Sequence, residues 1–515
     1  VSRLCSENCN QAEIVLTGND LTIKQVVEAA RRKSSITIAA EAMETVKKSR
    51  KIVMRLANQE RLFYGVNTGT GANKTIRIPN NELEMFQRRI ILSHCICVEK
   101  PAEEDVIRAA MVVRINGMLK GTAGVNPEII ELFTKMLNRR IHPVVPLVGS
   151  VGDSDIGPLA HFVLPLLGMG EVIYKGIRTS SVEAFAAENL QPIVLGPKDG
   201  LGIINSNAVY IGAGALVLSD CKELFDLSDV SYALNLEAFQ GNTSPLRPES
   251  FDMRPHVGQR KCAERIRNIL ENSFLWQPDQ VPRTVQDPIS YRSTPQVHGA
   301  CREALEFATS ILAIELNSMS DNPMVLIDKC DMISNGQFHI LNVTHSFELL
   351  RIALANLANT ICSRMFRLMD PVLSGLPAFL SPTPGRCCGY AALQKTIADL
   401  NSQIRQLAHP VSMDYLPLGR DVEDICTMAP LAIKKTAESL GKLEYLIAIE
   451  FMVACQAVDL RSNLPLGRGT QLVYQRIRKV VPFLEEDRVV ANDVQTVYDL
   501  VSKRIINKDL AAIVE

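Results

Sequence analysis

Several side chains in this sequence carry the chemistry to handle a small charged molecule. Tyr64, in Tyr64-Gly-Val-Asn-Thr-Gly69, offers a phenol. An unperturbed phenol titrates near 10, so service as a base needs a cationic neighbour or a helix N-terminus to lower it. Taken alone, a Tyr-Gly pair also reads as an ordinary turn. His94 ends a helical stretch in Leu-Ser-His, where a lone histidine is more often structural. Arg292 presents a planar fork that matches a carboxylate bidentately. Read bare, Glu423 is a solvated loop carboxylate and Lys395 an outward-pointing amine. The densest stretch is Gly149-Ser150-Val151-Gly152-Asp153-Ser154-Asp155-Ile156-Gly157-Pro158-Leu159, which sets a serine between two carboxylates.

The elements that must hold these residues divide near residue 205. Before it the pattern is mixed. Asn19-Asp20 offers a helix cap, and helices are predicted over 41–57, 81–94 and 103–119, with a glycine-rich loop over 65–72. Residues 171–178 read as a hairpin turning at Lys175-Gly176. Beyond residue 205, apolar residues at three-to-four spacing predict helices over 301–317, 343–369, 390–407 and 436–458. The second is about 40 Å long at 1.5 Å per residue. Ala353, Ala355 and Ala358 allow close helix approach. The expectation is a mainly α protein, with a mixed N-terminal region carrying the site loops (1–204) and a helical bundle (205–515). No linker or repeat separates the two, so they read as one folded unit.

Composition excludes several classes. A net charge of −1 gives no electrostatic case for nucleic acid or a membrane surface. No uninterrupted apolar run reaches the roughly 18–20 residues of a membrane span. The start, Val1-Ser2-Arg3-Leu4-Cys5, lacks a basic-then-apolar signal segment. The 13 cysteines are odd in number. Their close pairs, Cys5/Cys9, Cys95/Cys97 and Cys387/Cys388, are not matched by second pairs at zinc-site spacing. Free thiols in a reducing cytoplasm are expected, with no metal.

The loop at 149–159 resembles that of the aromatic amino-acid ammonia-lyases and aminomutases. In that family the run reads Gly-Ser-x-Gly-Ala-Ser-Gly-Asp-Leu-Ala-Pro-Leu, and its Ala-Ser-Gly cyclises into a methylidene-imidazolone electrophile. Cyclisation needs the amide nitrogen after the serine to attack the carbonyl before it, an approach that glycine eases because it has no Cβ. Here Ala-Ser-Gly has shrunk to Asp153-Ser154, one residue short and without the glycine. The resemblance continues through most of the chain, over residues 20–460. Tyr64 falls on the family's tyrosine above the substrate β-carbon. His94 and Glu423 fall on the imidazole-facing pair of the histidine branch. Asn205, in Ile-Ile-Asn-Ser-Asn, matches the asparagine near the substrate amine and carboxylate. Gln286-Asp287-Pro288 with Tyr291-Arg292 places Arg292 on the carboxylate-binding arginine and Ile289 where a tyrosine stands. Ser320-Asp321-Asn322-Pro323 makes Asn322 an organiser of the cofactor loop. Asn335-Gly336-Gln337-Phe338-His339 makes Phe338 a pocket wall, and Lys395 lies one turn from a ring-pocket position.

What the resemblance implies is a carbon–nitrogen lyase in its electrophile-free form, with no cofactor. Without that group a poor leaving amine is not activated, so the substrate must already carry a good leaving group. A trimethylammonium group fits, with Asp153 and Ser154 in the electrophile's place and Asp153 attracting the quaternary cation. The implied ligand is a small-molecule betaine of histidine type, with plain and 2-thio imidazole left unranked. Relatives are homotetramers with active sites shared between subunits, and the same is expected here. Two other readings stay open. One is an ordinary histidine ammonia-lyase whose electrophile forms from unusual residues, Ser154 being able to dehydrate. The other is a non-catalytic binder of imidazole ligands.

Overall fold

The computed structural model describes residues 13–420, 422–462 and 464–514. Cys5 and Cys9, and the opening residues read for a signal segment, lie outside the described residues. The described chain is mostly helical and gathers into two compact units. Among the described residues the first comprises 13–219, 309–345 and 411–433, the second 220–308, 346–410 and 434–514.

The first unit holds the short strands. Ile14–Leu16 pairs in parallel with Ile36–Ile38, and Val98–Pro101 pairs antiparallel with Pro146–Val148. Ile141–Pro143, Glu171–Tyr174 and Ile177–Ser180 form a three-stranded sheet whose hairpin turns at Lys175-Gly176, as the sequence predicts. The first helix differs from its expected start. It runs Ile23–Arg31 and is capped by Thr22, not by Asn19-Asp20. Thr22 Oγ1 accepts from Gln25 N, and the Gln25 side chain accepts from Thr22 N, a reciprocal capping box. Helices Ala40–Ala57, Leu83–Ser93 and Glu104–Met118 lie within two residues of their predicted bounds.

Four long helices contribute to the bundle, Ala208–Phe239, Thr294–Leu316, Leu341–Met369 and Ala429–Leu460. Three of the four extend helices read from periodicity. Ala208–Phe239 belongs to a stretch, Asp199–Phe239, that is apolar and long enough to cross a membrane, yet 94% of its apolar window is buried inside the protein. Uninterrupted-run counting misses it because Asp220 and Lys222 break the run. In the second unit, Glu450 is fully buried and receives Nε and Nη2 of the equally buried Arg364 at 2.8 and 3.0 Å. Ser231 Oγ and Asn235 Nδ2 fill the remaining lone pairs at 2.6 and 3.0 Å, as a buried charge requires.

Candidate active site

The first unit assembles most of the expected site residues around the 149–159 loop. Its backbone is held from the 411–433 stretch. Thr427 Oγ1 donates to Gly152 O at 2.9 Å, and Met428 N donates to Val151 O at 2.8 Å. Gly152 has φ +96°, and a Cβ there would collide with Thr427 Oγ1. Gly152→Ala is therefore expected to cost about 1–3 kcal/mol of stability, the usual range for forced overpacking, read as a lowered thermal midpoint. Thr427 had no signal in the sequence beyond its place four residues after Glu423.

Ser154 adopts φ +65°, an uncommon conformation for a residue with a Cβ. Its Oγ donates to Asn205 Oδ1 at 2.5 Å, and Asn205 Nδ2 donates to the carbonyl of Asn322 at 2.8 Å. Asn322 Oδ1 in turn accepts from Asn335 N at 2.9 Å. Asp321 beside it is fixed by a buried ion pair with Lys198 at 2.5 Å. Ser154, Asn205 and Asn322 thus form one chain of hydrogen bonds. The amide of Asp155 donates to Ser206 O at 2.6 Å. Asp155 itself is fully buried and accepts from Tyr210 N at 3.1 Å, at the first turn of helix Ala208–Phe239, where a carboxylate is favoured.

These contacts do not fit the cyclised electrophile. The nitrogen that would have to attack the Asp153 carbonyl is engaged with Ser206 O, the residue carrying it is not glycine, and the serine hydroxyl is engaged with Asn205.

Asp153 does not cap the helix that follows. Ile156–Val163 has Asp155 at its N-cap without a side-chain cap bond, and Asp153 Oδ1 is buried with no hydrogen-bond partner. Burial first, and the charge of Glu423 second, push the Asp153 carboxyl up to about 7. Tyr64 lies within reach of the same Glu423 charge. Its hydroxyl accepts from Gly71 N at 2.9 Å. Burial raises its phenol above the ordinary value, the Gly71 contact opposes that, and Glu423 adds to it. The lowering that a base role asks for is thus not supplied within this unit by the groups acting on Tyr64. Cys426 is a further neighbour that the sequence did not mark. It is buried, and burial, then Asp153, then Glu423 raise its thiol. Tyr64, Asp153, Glu423 and Cys426 therefore form one electrostatic cluster.

His94 terminates helix Leu83–Ser93, and its Nδ1 lies 2.7 Å from Ile90 O. A carbonyl only accepts, so Nδ1 carries the proton and Nε2 of the neutral ring is left as an acceptor. Phe338 is half-buried, and its carbonyl accepts from Asn207 Nδ2 at 2.8 Å. Glu423 is exposed, on a loop closed by the Leu418 and Glu423 backbones.

Arg292 and Lys395 belong to the second unit. Arg292 ends the short helix Ile289–Arg292 and lines a cavity of about 400 Å³ with Arg283, Gln286 and Ile289. With the Gln286 amide turned oxygen-first, it accepts from both Nη atoms of Arg292 at 2.8 and 2.9 Å. The end of the fork is thus held by Gln286. Ile289 is 66% exposed. Lys395 is exposed in the first turn of Leu393–Leu407, away from the buried Ile397 and Ile404.

Known proteins match this chain along nearly its full length. Histidine ammonia-lyase of Alkaliphilus metalliredigens is 38% identical over 503 residues, which is 98% of this chain and 99% of that protein. Ergothionase from Treponema denticola, solved with desmethyl-ergothioneine sulfonic acid, superposes with a TM-score of 0.94 at 34% identity, covering 96% of this chain and 99% of its own. Histidine ammonia-lyase from Trypanosoma cruzi superposes with a TM-score of 0.89 at 31% identity, over 98% and 96%. The fold is the ammonia-lyase fold, mostly helical with a central bundle. Residues 21–479 match the aromatic amino acid lyase family, and the chain belongs to that family of carbon–nitrogen lyases.

Proposed function

We propose that this protein eliminates trimethylamine from ergothioneine, the betaine of 2-thiohistidine, and does so without a methylidene-imidazolone electrophile. The observation that carries the reading is Asp153, a half-buried carboxyl with an unpartnered oxygen in the loop where the family builds its electrophile. A quaternary ammonium cannot add to an electrophile, but it does seek a counter-charge. The similarity to an ergothionase at a TM-score of 0.94 supports the same reading.

In this mechanism Tyr64, as phenolate, takes the β-proton. The C–H electron pair becomes the Cα–Cβ double bond. The Cα–N bond breaks towards nitrogen, and trimethylamine leaves as a neutral molecule beside Asp153. The remaining product is the trans-acrylate, thiolurocanate. His94 Nε2 and Glu423 accept from the ring, Phe338 walls it, and the Ser154–Asn205–Asn322 chain keeps the loop in shape. Arg292 holds the carboxylate and Lys395 the ring sulfur or ring charge, both brought to the betaine in a homotetramer with shared sites.

Intact mass separates this reading from a histidine ammonia-lyase with an unusual electrophile. The mass should equal that of the unmodified chain, whereas a mass short by two water molecules would show cyclisation. Binding should also titrate. The carboxylate of Asp153 is the competent form and prevails above about 7, so affinity for the betaine falls as pH drops below that value, approaching tenfold per unit. Calorimetric titration between pH 5 and 9 reads this, and a flat profile counts against Asp153 as counter-charge.

A further inference from the structure

His339 has so far only its neighbour's role, yet its place is specific. Asp153 and His339 form an isolated antiparallel bridge. Residues directly opposite in such a bridge carry their side chains on one face, with Cβ atoms about 4.5–5.5 Å apart. Asp153 Oδ1 and His339 Nε2 are both buried and both without a hydrogen-bond partner. Orphaned buried polar atoms are rare in folded proteins, and here an acceptor and a potential donor stand side by side. Both backbones are pinned. Thr427 holds Gly152 on one side of Asp153, and Ser206 holds Asp155 on the other. Asn207 holds the Phe338 carbonyl, and His339 N donates to Gly336 O at 3.1 Å. Side-chain torsions are the freedom that remains.

We propose that His339 is the positioning partner of Asp153: when the betaine binds, His339 Nε2–H donates to Asp153 Oδ1, holding the carboxylate ionised and leaving Oδ2 to face the trimethylammonium group. This rests on the reading of Asp153 as the counter-charge. Cys426 is a further titratable neighbour, its thiol raised by burial and by Asp153. Glu423 also faces Asp153 and disfavours its charged form. A neutral donor on Oδ1 favours it, and it does so without placing a second cation where the substrate's own must sit. A histidine proton on Nε2 leaves Nδ1 as the acceptor side of the ring.

The test compares ergothioneine binding by the wild type, His339→Leu, His339→Gln and Asp153→Asn between pH 5 and 9. In His339→Leu the midpoint of the binding profile should move up by about one unit, with about fivefold weaker binding near pH 7, approaching tenfold at pH 5, and little difference at pH 9. His339→Gln, which keeps an N–H donor, should restore the wild-type profile. A His339→Leu profile that coincides with the wild type overturns the proposal, and so does an equal shift in Leu and Gln, which would mark a packing role. If His339→Leu fails to fold, His339→Asn, whose amide stops short of the carboxylate, takes its place under the same criteria. If the wild type and Asp153→Asn bind alike at every pH, the reading of Asp153 itself fails and this proposal falls with it. A wild type that differs from Asp153→Asn but matches His339→Leu isolates the failure to His339.

Discussion

Tyr64→Phe is expected to lower turnover by about 10²–10⁴-fold, the usual contribution of a positioned general base, with a modest change in KM. The substitution keeps the ring and removes only the oxygen that accepts from Gly71 N. Burial holds the phenol above its ordinary value and Glu423 holds it higher. The phenolate fraction therefore grows tenfold per pH unit up to the phenol's own titration, and wild-type kcat should climb through neutral pH without a plateau there. Tyr64→Phe should lose that slope along with the rate. A cationic group brought to Tyr64 by the proposed homotetramer would lower the phenol and bring the plateau down into the accessible range, so the pH profile also tests that proposal. An unchanged rate in Tyr64→Phe would reassign the base to Glu423 or Lys395.

Asp153→Asn should weaken betaine binding while leaving an uncharged analogue bound as before. A pair of charges about 4 Å apart is worth roughly 4 kcal/mol at an effective dielectric near 20, and solvent access to the half-buried site reduces the net loss. Because trimethylamine leaves uncharged, the carboxylate loses its partner as the reaction proceeds. The effect should fall on KM, with kcat steady or raised. Stability supplies an independent check. The folded carboxyl titrates at about 7, against about 3.9 in an unfolded chain. The folded state thus binds the extra proton between these values, and stability from this group is lost as pH rises through about 7. Asp153→Asn, which stays neutral, should accordingly raise the melting temperature at pH 8 more than at pH 5. A helix cap would give the opposite result, a lower melting temperature.

Much of this arrangement was legible in the sequence, and the reasons differ by residue. Helices such as Leu341–Met369 were readable because their apolar spacing repeats over many turns. Thr22 was missed although Thr22-Ile-Lys-Gln25 carries a capping-box pattern, because Asn19-Asp20 is a stronger cap signal by residue type alone. Helix Ala208–Phe239 lies within the region read as helical, but its bounds were not given. Its polar residues, Asp220, Asp229 and Asn235 among them, are spread around the helix and not gathered on one face, so it lacks the periodicity that marks an amphipathic helix. At the site, motif order marked Tyr64, Asp153 and Asn205 along the chain. It gave no means of placing Cys426 beside Asp153, or His339 opposite Asp153, since both neighbours come from loops nearly 200 residues or more away from Asp153 in sequence. Nor did it show the Asp155 amide donating to Ser206, the contact that bears most directly on cyclisation.

The most direct measurement is amine release by the purified protein, offered ergothioneine and histidine in parallel at high enzyme concentration. The expected result is trimethylamine from ergothioneine, one equivalent per thiolurocanate formed, with no ammonia from histidine. Ammonia from histidine, or no amine from either substrate, would contradict the account.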